Sequence, residues 1–190
     1  MIEALSGIFT AFGLSASAGL NAYLPLLIVA LVARFSNLIT LSPPYHHLTN
    51  GWVIVVIAVL LCIEFFADRI AVLDTANDVV QTLIRPTAGA ILFAAGSNVI
   101  GDIHPVLALI CGLIVAGGVH ATKATIRPVV TGTSGGLLNP VVSTVEDVTS
   151  LTLTLLSILV PLLTGFLLGA VVVIVAWWVV ARRRRKEVAS

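Results

Sequence analysis

Long stretches without a single charge decide what this chain can fold into. Residues 4–33, 35–63, 86–101, 103–122, 128–145 and 148–181 contain no Asp, Glu, Lys or Arg. A helix that crosses a bilayer needs about 20 mostly apolar residues. Composition agrees: 58% of the residues are hydrophobic and only 10% are charged, against roughly 25% charged in an average soluble domain. A disordered chain, a soluble nucleic-acid binder and an ordinary soluble enzyme are excluded. The expected fold is an all-α polytopic helical membrane protein with about five transmembrane helices, with possible broken or re-entrant segments near 4–21 and 129–150. It forms one transmembrane domain over 1–181, followed by a basic tail over 182–190.

The formal charge of +1 hides an asymmetry. Arg182, Arg183, Arg184, Arg185 and Lys186 form one run, with Glu187 beside it; the rest of the chain carries five bases and eight acids. Trp177 and Trp178 precede the run. Aromatic residues at the interface followed by Arg and Lys in water mark the cytoplasmic end of a spanning helix. The expected location is therefore the bacterial cytoplasmic (inner) membrane, with the C-terminus cytoplasmic. The partner is the lipid bilayer, and nucleic acid is not expected. Ala16-Ser17-Ala18 has the look of a processing site, but no Lys or Arg precedes the apolar run, so a cleaved signal peptide is not expected. Cys62 and Cys111 sit in apolar runs without metal or redox spacing and read as buried free thiols.

Breakers divide the chain. The first apolar run contains Gly13, Ser15, Ser17, Gly19, Asn21 and Pro25. A half-helix, a break near Ser15–Asn21 and a crossing to about Phe35 fit this pattern. A Pro- and His-containing loop over 36–50 precedes a crossing from about Trp52 to Phe66. The polar stretch from Asp68 to Arg85 reads as an interfacial amphipathic helix ending at Pro86. Crossings follow from about Thr87 to Ile100 and from about Val106 to Ala121. Residues 122–147 are the least regular, and the last run, Val148 to Ala181, carries Pro161. Two short matches hint at an internal repeat: Thr82-Leu83-Ile84-Arg85-Pro86 with Ala124-Thr125-Ile126-Arg127-Pro128, and the segments ending in Asn21-Ala22 and Asn139-Pro140. Broken helices in corresponding positions would mark a transporter's binding site.

Four segments, Ser17-Ala18-Gly19-Leu20-Asn21-Ala22-Tyr23-Leu24-Pro25, Glu64-Phe65-Phe66-Ala67-Asp68-Arg69-Ile70, His120-Ala121-Thr122-Lys123-Ala124-Thr125-Ile126-Arg127 and Ser143-Thr144-Val145-Glu146-Asp147, carry a resemblance. The chain resembles an uncharacterised bacterial integral membrane protein family, domain of unknown function 4126, from about Gly13 to the last crossing. It departs from that family between Arg127 and Asn139, where Thr133-Ser134-Gly135-Gly136 stands in place of a Ser-Pro-Glu-Pro-like stretch and carries no acid. The resemblance implies a membrane protein and no particular activity.

Function has to be argued from the polar groups. Counting crossings back from the tail puts the ends of the second and fourth crossings and the start of the last run on one face. Glu64, Asp68, Arg69, Asp74, Asp78 and Arg85 would there meet His120, Lys123, Arg127, Glu146 and Asp147. Glu64 and Asp68 are four apart and share a helix face, as do Asp74 and Asp78. His120, Lys123 and Arg127 form one basic stripe. Ionisable groups at membrane depth are costly, which makes them functional candidates. The leading expectation is a transporter or channel-like protein for a small ion or solute. Its path residues would be Glu64, Asp68, His120 and Lys123, with Asn21 and Asn139 at helix breaks; Arg69, Asp74, Asp78, Arg85, Arg127, Glu146 and Asp147 would form the surrounding charge network. The alternatives are a non-transporting membrane scaffold and a lipid-phosphate-binding partner protein. Catalysis has little support, since no Gly-x-Ser-x-Gly or His-Glu-x-x-His motif occurs, and no metal or cofactor is expected. Gly165 and Gly169 form a Gly-x-x-x-Gly pair that suits close helix packing, within the chain or in a homo-oligomer.

Overall fold

The computed structural model describes the backbone of residues 2–68, 71–97 and 103–188 and the side chains of 4–68, 77, 79–96 and 103–178. Among these residues there are seven α-helices and no strand: α1 (Ile2–Leu20), α2 (Tyr23–Phe35), α3 (Gly51–Ala67), α4 (Ala71–Ser97), α5 (Pro105–Ser134), α6 (Asn139–Leu159) and α7 (Pro161–Val188). Apolar segments long enough to cross a membrane run over Val79–Gly96 in α4, Pro105–Ser134, Asn139–Leu159 and Pro161–Trp178, and α1, α2 and α3 are shorter apolar helices. The protein is an all-α polytopic membrane protein.

The first apolar run is broken at Asn21–Ala22, at the far edge of the expected window. Asn21 makes the break tolerable: its Oδ1 accepts from the backbone N–H of Tyr23 and Leu24, at 3.1 and 2.9 Å. Those are orphan donors of the first turn of α2, and Pro25 sits in the same turn, where a missing N–H costs nothing. Asn50 caps α3 in the same manner, accepting from Trp52 N–H at 2.9 Å.

Two expected boundaries are corrected. Pro86 does not separate an interfacial helix from a crossing, since α4 runs through it. The fourth crossing does not stop near Ala121, since α5 runs on through Pro128 to Ser134 and closes on Gly135, whose φ of 60° suits glycine. Proline is tolerated inside a membrane helix because the surrounding bundle and small local adjustments accommodate the one carbonyl it frees. Thr87, Thr122 and Thr125 turn their hydroxyls back onto the Leu83, Gly118 and Ala121 carbonyls, so these polar groups are satisfied within their own helices. The irregular stretch expected over 122–147 contracts to Gly135–Leu138. The last run divides at Val160, before Pro161.

Three helices form the heart of the bundle: α1, α4 and α5. Their backbones touch. A Cβ added to Gly112 would lie 2.5 Å from the Gly89 carbonyl oxygen and 2.7 Å from Ala90 Cα, and one added to Gly19 would lie 2.6 Å from the Ala116 carbonyl oxygen. Ser15 donates across this contact to the Gly112 carbonyl at 2.8 Å. Membrane helices gain nothing by hiding apolar surface from lipid, so close backbone approach and hydroxyl bonds hold them instead. Helix α6 continues the theme against α1, where Ser17 Oγ lies 2.9 Å from Ser150 Oγ and 2.5 Å from Thr154 Oγ1. Gly165 of α7 meets the Phe9 ring of α1, and Gly169 faces open space. Helix α3 is peripheral. Only Ile57 and Glu64 are buried on it, and it turns Val55, Val59, Ile63 and Phe66 outward. Cys62 lies exposed on α3 and Cys111 is half-buried, which corrects the expectation of two buried thiols.

Candidate functional site

At one end of the bundle α3, α4, α5 and α6 converge on charged side chains, in a ladder of alternating sign. Glu146 of α6 stands at the rim, its side chain 13% exposed. Its Oε2 meets Lys123 Nζ at 2.9 Å and Arg127 Nη2 at 2.5 Å, both from α5. The next acid inward is Asp68, which closes α3. Its Oδ2 lies 3.3 Å from Arg127 and 3.7 Å from Lys123, and its Oδ1 accepts from Asn77 of α4 at 2.7 Å. Arg85 of α4 follows, 3.9 Å from Asp68 Oδ2 and 2.9 Å from Glu64 Oε1. Glu64 is the innermost acid. Both members of that last pair are buried, at 0% and 1% exposure. Arg85 lies six residues inside the apolar segment that begins at Val79.

His120 is placed differently from the basic stripe expected of it. Its Nδ1 is 3.2 Å from Arg85 Nη1, and its Nε2 is 3.2 Å from Thr82 Oγ1. A guanidinium offers only donors, so Nδ1 must accept. This geometry assigns the proton to Nε2 and makes His120 a neutral spacer that steadies Arg85. Lys123 also donates to the Leu20 carbonyl at 3.2 Å, at the open C-terminal end of α1. An ammonium there satisfies an orphan carbonyl and complements the helix dipole.

The structure therefore brings Glu64, Asp68, His120, Lys123, Arg85, Arg127 and Glu146 together. Glu64 pairs with Arg85 of α4, whereas the sequence pattern aimed it at His120 and Lys123. Asn21 donates to Asp147 Oδ1 at 2.9 Å, beside the ladder. Asn139 accepts from Thr131 at 3.0 Å and joins α5 to the start of α6. Arg69 and the side chains of Asp74 and Asp78 lie outside the described residues. The two Arg-Pro matches both deliver a buried arginine to this cluster. The matched asparagines make different bonds, and the two motifs come in opposite order in the two halves, which argues against a tandem repeat.

Sequence reasoning passed over Asn77, Gln81, Tyr23 and Ser143. Asn77, Gln81 and Arg85 are spaced at i, i+4 and i+8, one polar stripe on α4, and that spacing was the available signal. Ser143 Oγ lies 3.4 Å from Asp68 Oδ2. Gln81 is 1% exposed. Two acceptors in this corner have no donor among the described residues: Glu64 Oε2 and Gln81 Oε1. No three His, Cys, Asp or Glu among the described residues converge as metal ligands.

A cavity of about 430 Å³ lies at the other end of α4 and α6, lined also by α1, α2 and residues 38–42, with Ser6, Thr10, Leu14, Val29, Thr40 and Ile158 among its walls. No charged side chain lines it. Between cavity and ladder lies an apolar cluster that includes Leu14, Ala18, Tyr23, Leu26, Val29, Ile57 and Leu92, beside the buried hydroxyls of Ser15, Ser17, Ser150 and Thr154.

Neither a curated protein nor a solved structure matches this chain. A family model does, over residues 8–182, and the chain belongs to the family that it describes, Domain of unknown function (DUF4126).

Proposed function

We propose that the protein is a small membrane transporter, moving a small ion or solute along a path that joins the cavity to Glu64. One observation carries this reading. Leu14 and Val29 wall the cavity and also belong to the apolar plug, and behind that plug stand Glu64 and Arg85. The distance along α4 from Arg85 to the cavity wall at Ala95 is roughly 15 Å. A cavity, a thin apolar gate and a buried ion pair in series are the parts of an occluded path. Charges at such depth are otherwise hard to account for.

The test is flux into liposomes containing the purified protein. Wild-type protein should carry some member of a panel of small ions and solutes in a pH-dependent manner, and Glu64→Gln should abolish that flux with the protein still folded. Absence of flux across the panel removes the reading. The closed ladder favours a second reading, a non-transporting scaffold, because Lys123 alone is engaged by two carboxylates and a carbonyl. That reading expects no flux from either protein and only a stability change. A lipid-phosphate site would instead lose anionic-lipid binding in Arg127→Ala and keep it in Glu64→Gln.

We place the protein in the bacterial inner membrane with its basic tail in the cytoplasm. A reporter active only in the cytoplasm should work when fused after Ser190, and activity of a periplasmic reporter there would reverse the orientation. Gly169 remains available for a homo-oligomer, whereas Gly165 is already used against Phe9.

A further inference from the structure

The cavity opposite the ladder is walled in part by backbone that no helix satisfies. Residues 39–42 have no regular structure, and they line it together with Leu38. Ile39 and Leu41 pack against the apolar core, whereas Thr40 and Ser42 lie exposed. Among the described residues, the N–H groups of Ile39, Thr40, Leu41 and Ser42 find no acceptor in the protein, and the carbonyls of Leu38, Ile39, Thr40 and Leu41 find no donor. Four consecutive peptide units are thus left to water or to a ligand. Non-helical backbone is tolerated in a membrane protein where it lines a wet cavity. Small-molecule sites use the same N–H and C=O groups to orient what they bind.

The rest of the wall sets the chemistry. Thr10 of α1 donates its hydroxyl to the Ser157 carbonyl at 2.9 Å and keeps lone pairs with which to accept. Leu14, Val29 and Ile158 supply apolar surface. Among the described residues no Asp, Glu, Lys or Arg lines the cavity, so a bound ion would lack a counter-charge there, and an isolated charge is costly. A cation would use the peptide carbonyls and be left with the N–H groups, and an anion the reverse. Either would next meet the apolar cluster of Leu14, Leu26, Val29 and Leu92, a barrier far higher for a charge than for a neutral molecule. Peptide groups offer donors and acceptors in equal number. The volume of about 430 Å³ lies at the small end of the range for ligand sites, about 300–1,000 Å³. A polyol meets each demand: hydroxyls that donate and accept, C–H surface between them, and no charge.

We infer that this cavity is a binding site for a small uncharged polyol, held by the backbone of residues 38–42. As the cargo site of a transporter it rests on the function proposed above. As a binding site it rests on the cavity alone.

The experiment is amide NMR of the isotope-labelled full chain in lipid nanodiscs, titrated in turn with glycerol, erythritol and glucose, and with acetate and choline at matched concentration. The amide signals of Ile39, Thr40, Leu41 and Ser42 should move saturably with at least one polyol and with neither charged probe. Thr40→Trp puts bulk at an exposed position of the wall and should abolish the saturable shifts at Ile39 and Leu41. Thr40→Val removes only a hydroxyl and should leave the dissociation constant within a few-fold of wild type, because the backbone does the recognising. Saturable shifts with acetate or choline overturn the uncharged class. Shifts that only grow in proportion to polyol concentration overturn the site, as do shifts that persist in Thr40→Trp. Loss of binding in Thr40→Val overturns the backbone's role. Should Thr40→Trp fail to fold, the comparison of polyols with ions on the wild-type chain still decides. Saturable shifts without polyol flux into liposomes remove the transport reading and leave the site; flux without shifts does the reverse.

Discussion

Helices α4 and α5 meet twice, in two unlike ways. Around Gly89, Gly112 and Ala116 their backbones touch with no side chain between them. About one to two turns away, Arg85 and Thr82 of α4 reach His120 of α5 through long polar side chains. The first contact is rigid and has one geometry. The second is held by charges that can exchange partners: Arg85 has two carboxylates and a histidine within 4 Å. A fixed seam next to an exchangeable cluster lets one end of a bundle change while the other keeps its register. Each region also fails in its own way, and that is how the contrast can be broken.

The largest effect should come from the cluster. Arg85→Met removes the only described donor on Glu64 and strands a buried acid, which costs about 3–5 kcal/mol when one partner of a buried pair is deleted. The loss arises from the stranded charge, so Glu64→Gln in the same chain should recover most of it. Unfolding measured in detergent micelles for both single variants and the double variant provides the check. If the double variant is as unstable as Arg85→Met, the cluster is held by shape and the distinction from the seam disappears.

The seam should respond less and without rescue. In an open helix, Gly→Ala favours the helix by roughly 1 kcal/mol. At Gly112 the new methyl would meet the Gly89 carbonyl, Phe93 Cβ and Ala90 Cα at 2.5–2.7 Å. Overpacking of that kind costs about 1–3 kcal/mol, so Gly112→Ala should destabilise. Gly118→Ala, on the same helix with nothing within 4 Å, should be neutral or stabilising. Equal effects at the two positions would mean that α4 and α5 are not in backbone contact.

The two regions were also unequally legible in the sequence. Charges in an apolar chain are conspicuous, and i, i+4 spacing placed Glu64 with Asp68 and Lys123 with Arg127 on shared faces. Its limit was pairing: nothing in the spacing distinguishes Arg85 from Lys123 as the partner of Glu64, because that depends on the rotation of α4. Pro86 misled for a physical reason. The rule that proline ends a helix is drawn from helices in water, and inside a membrane bundle leaving the helix would free more backbone groups than the one bond that proline removes. Glycines gave still less. A small residue admits a close neighbour without naming it, so the meeting of Gly89 and Gly112 needed the structure.

The smallest effect belongs to the hydroxyl seam between α1 and α6, and it asks whether hydrogen bonds or close packing hold the rigid region. Ser17 Oγ is near three partners, the Ser150 carbonyl, Ser150 Oγ and Thr154 Oγ1. Removing it in Ser17→Ala leaves none of the remaining groups stranded. Ser150 Oγ still reaches the Ser17 carbonyl at 3.1 Å, and Thr154 Oγ1 still reaches the Ser150 carbonyl at 2.7 Å. Interhelical hydrogen bonds in membranes average about 0.6 kcal/mol, because the separated helices also find partners. The expected loss for Ser17→Ala is of that order, well below that for Gly112→Ala, since alanine preserves the small profile that lets α6 approach α1. Ser17→Val, which keeps no hydroxyl and adds bulk, should cost distinctly more than Ser17→Ala. If Ser17→Ala alone costs as much as Arg85→Met, the seam is a polar network like the cluster, and the division of the bundle into a rigid part and an exchangeable part does not hold.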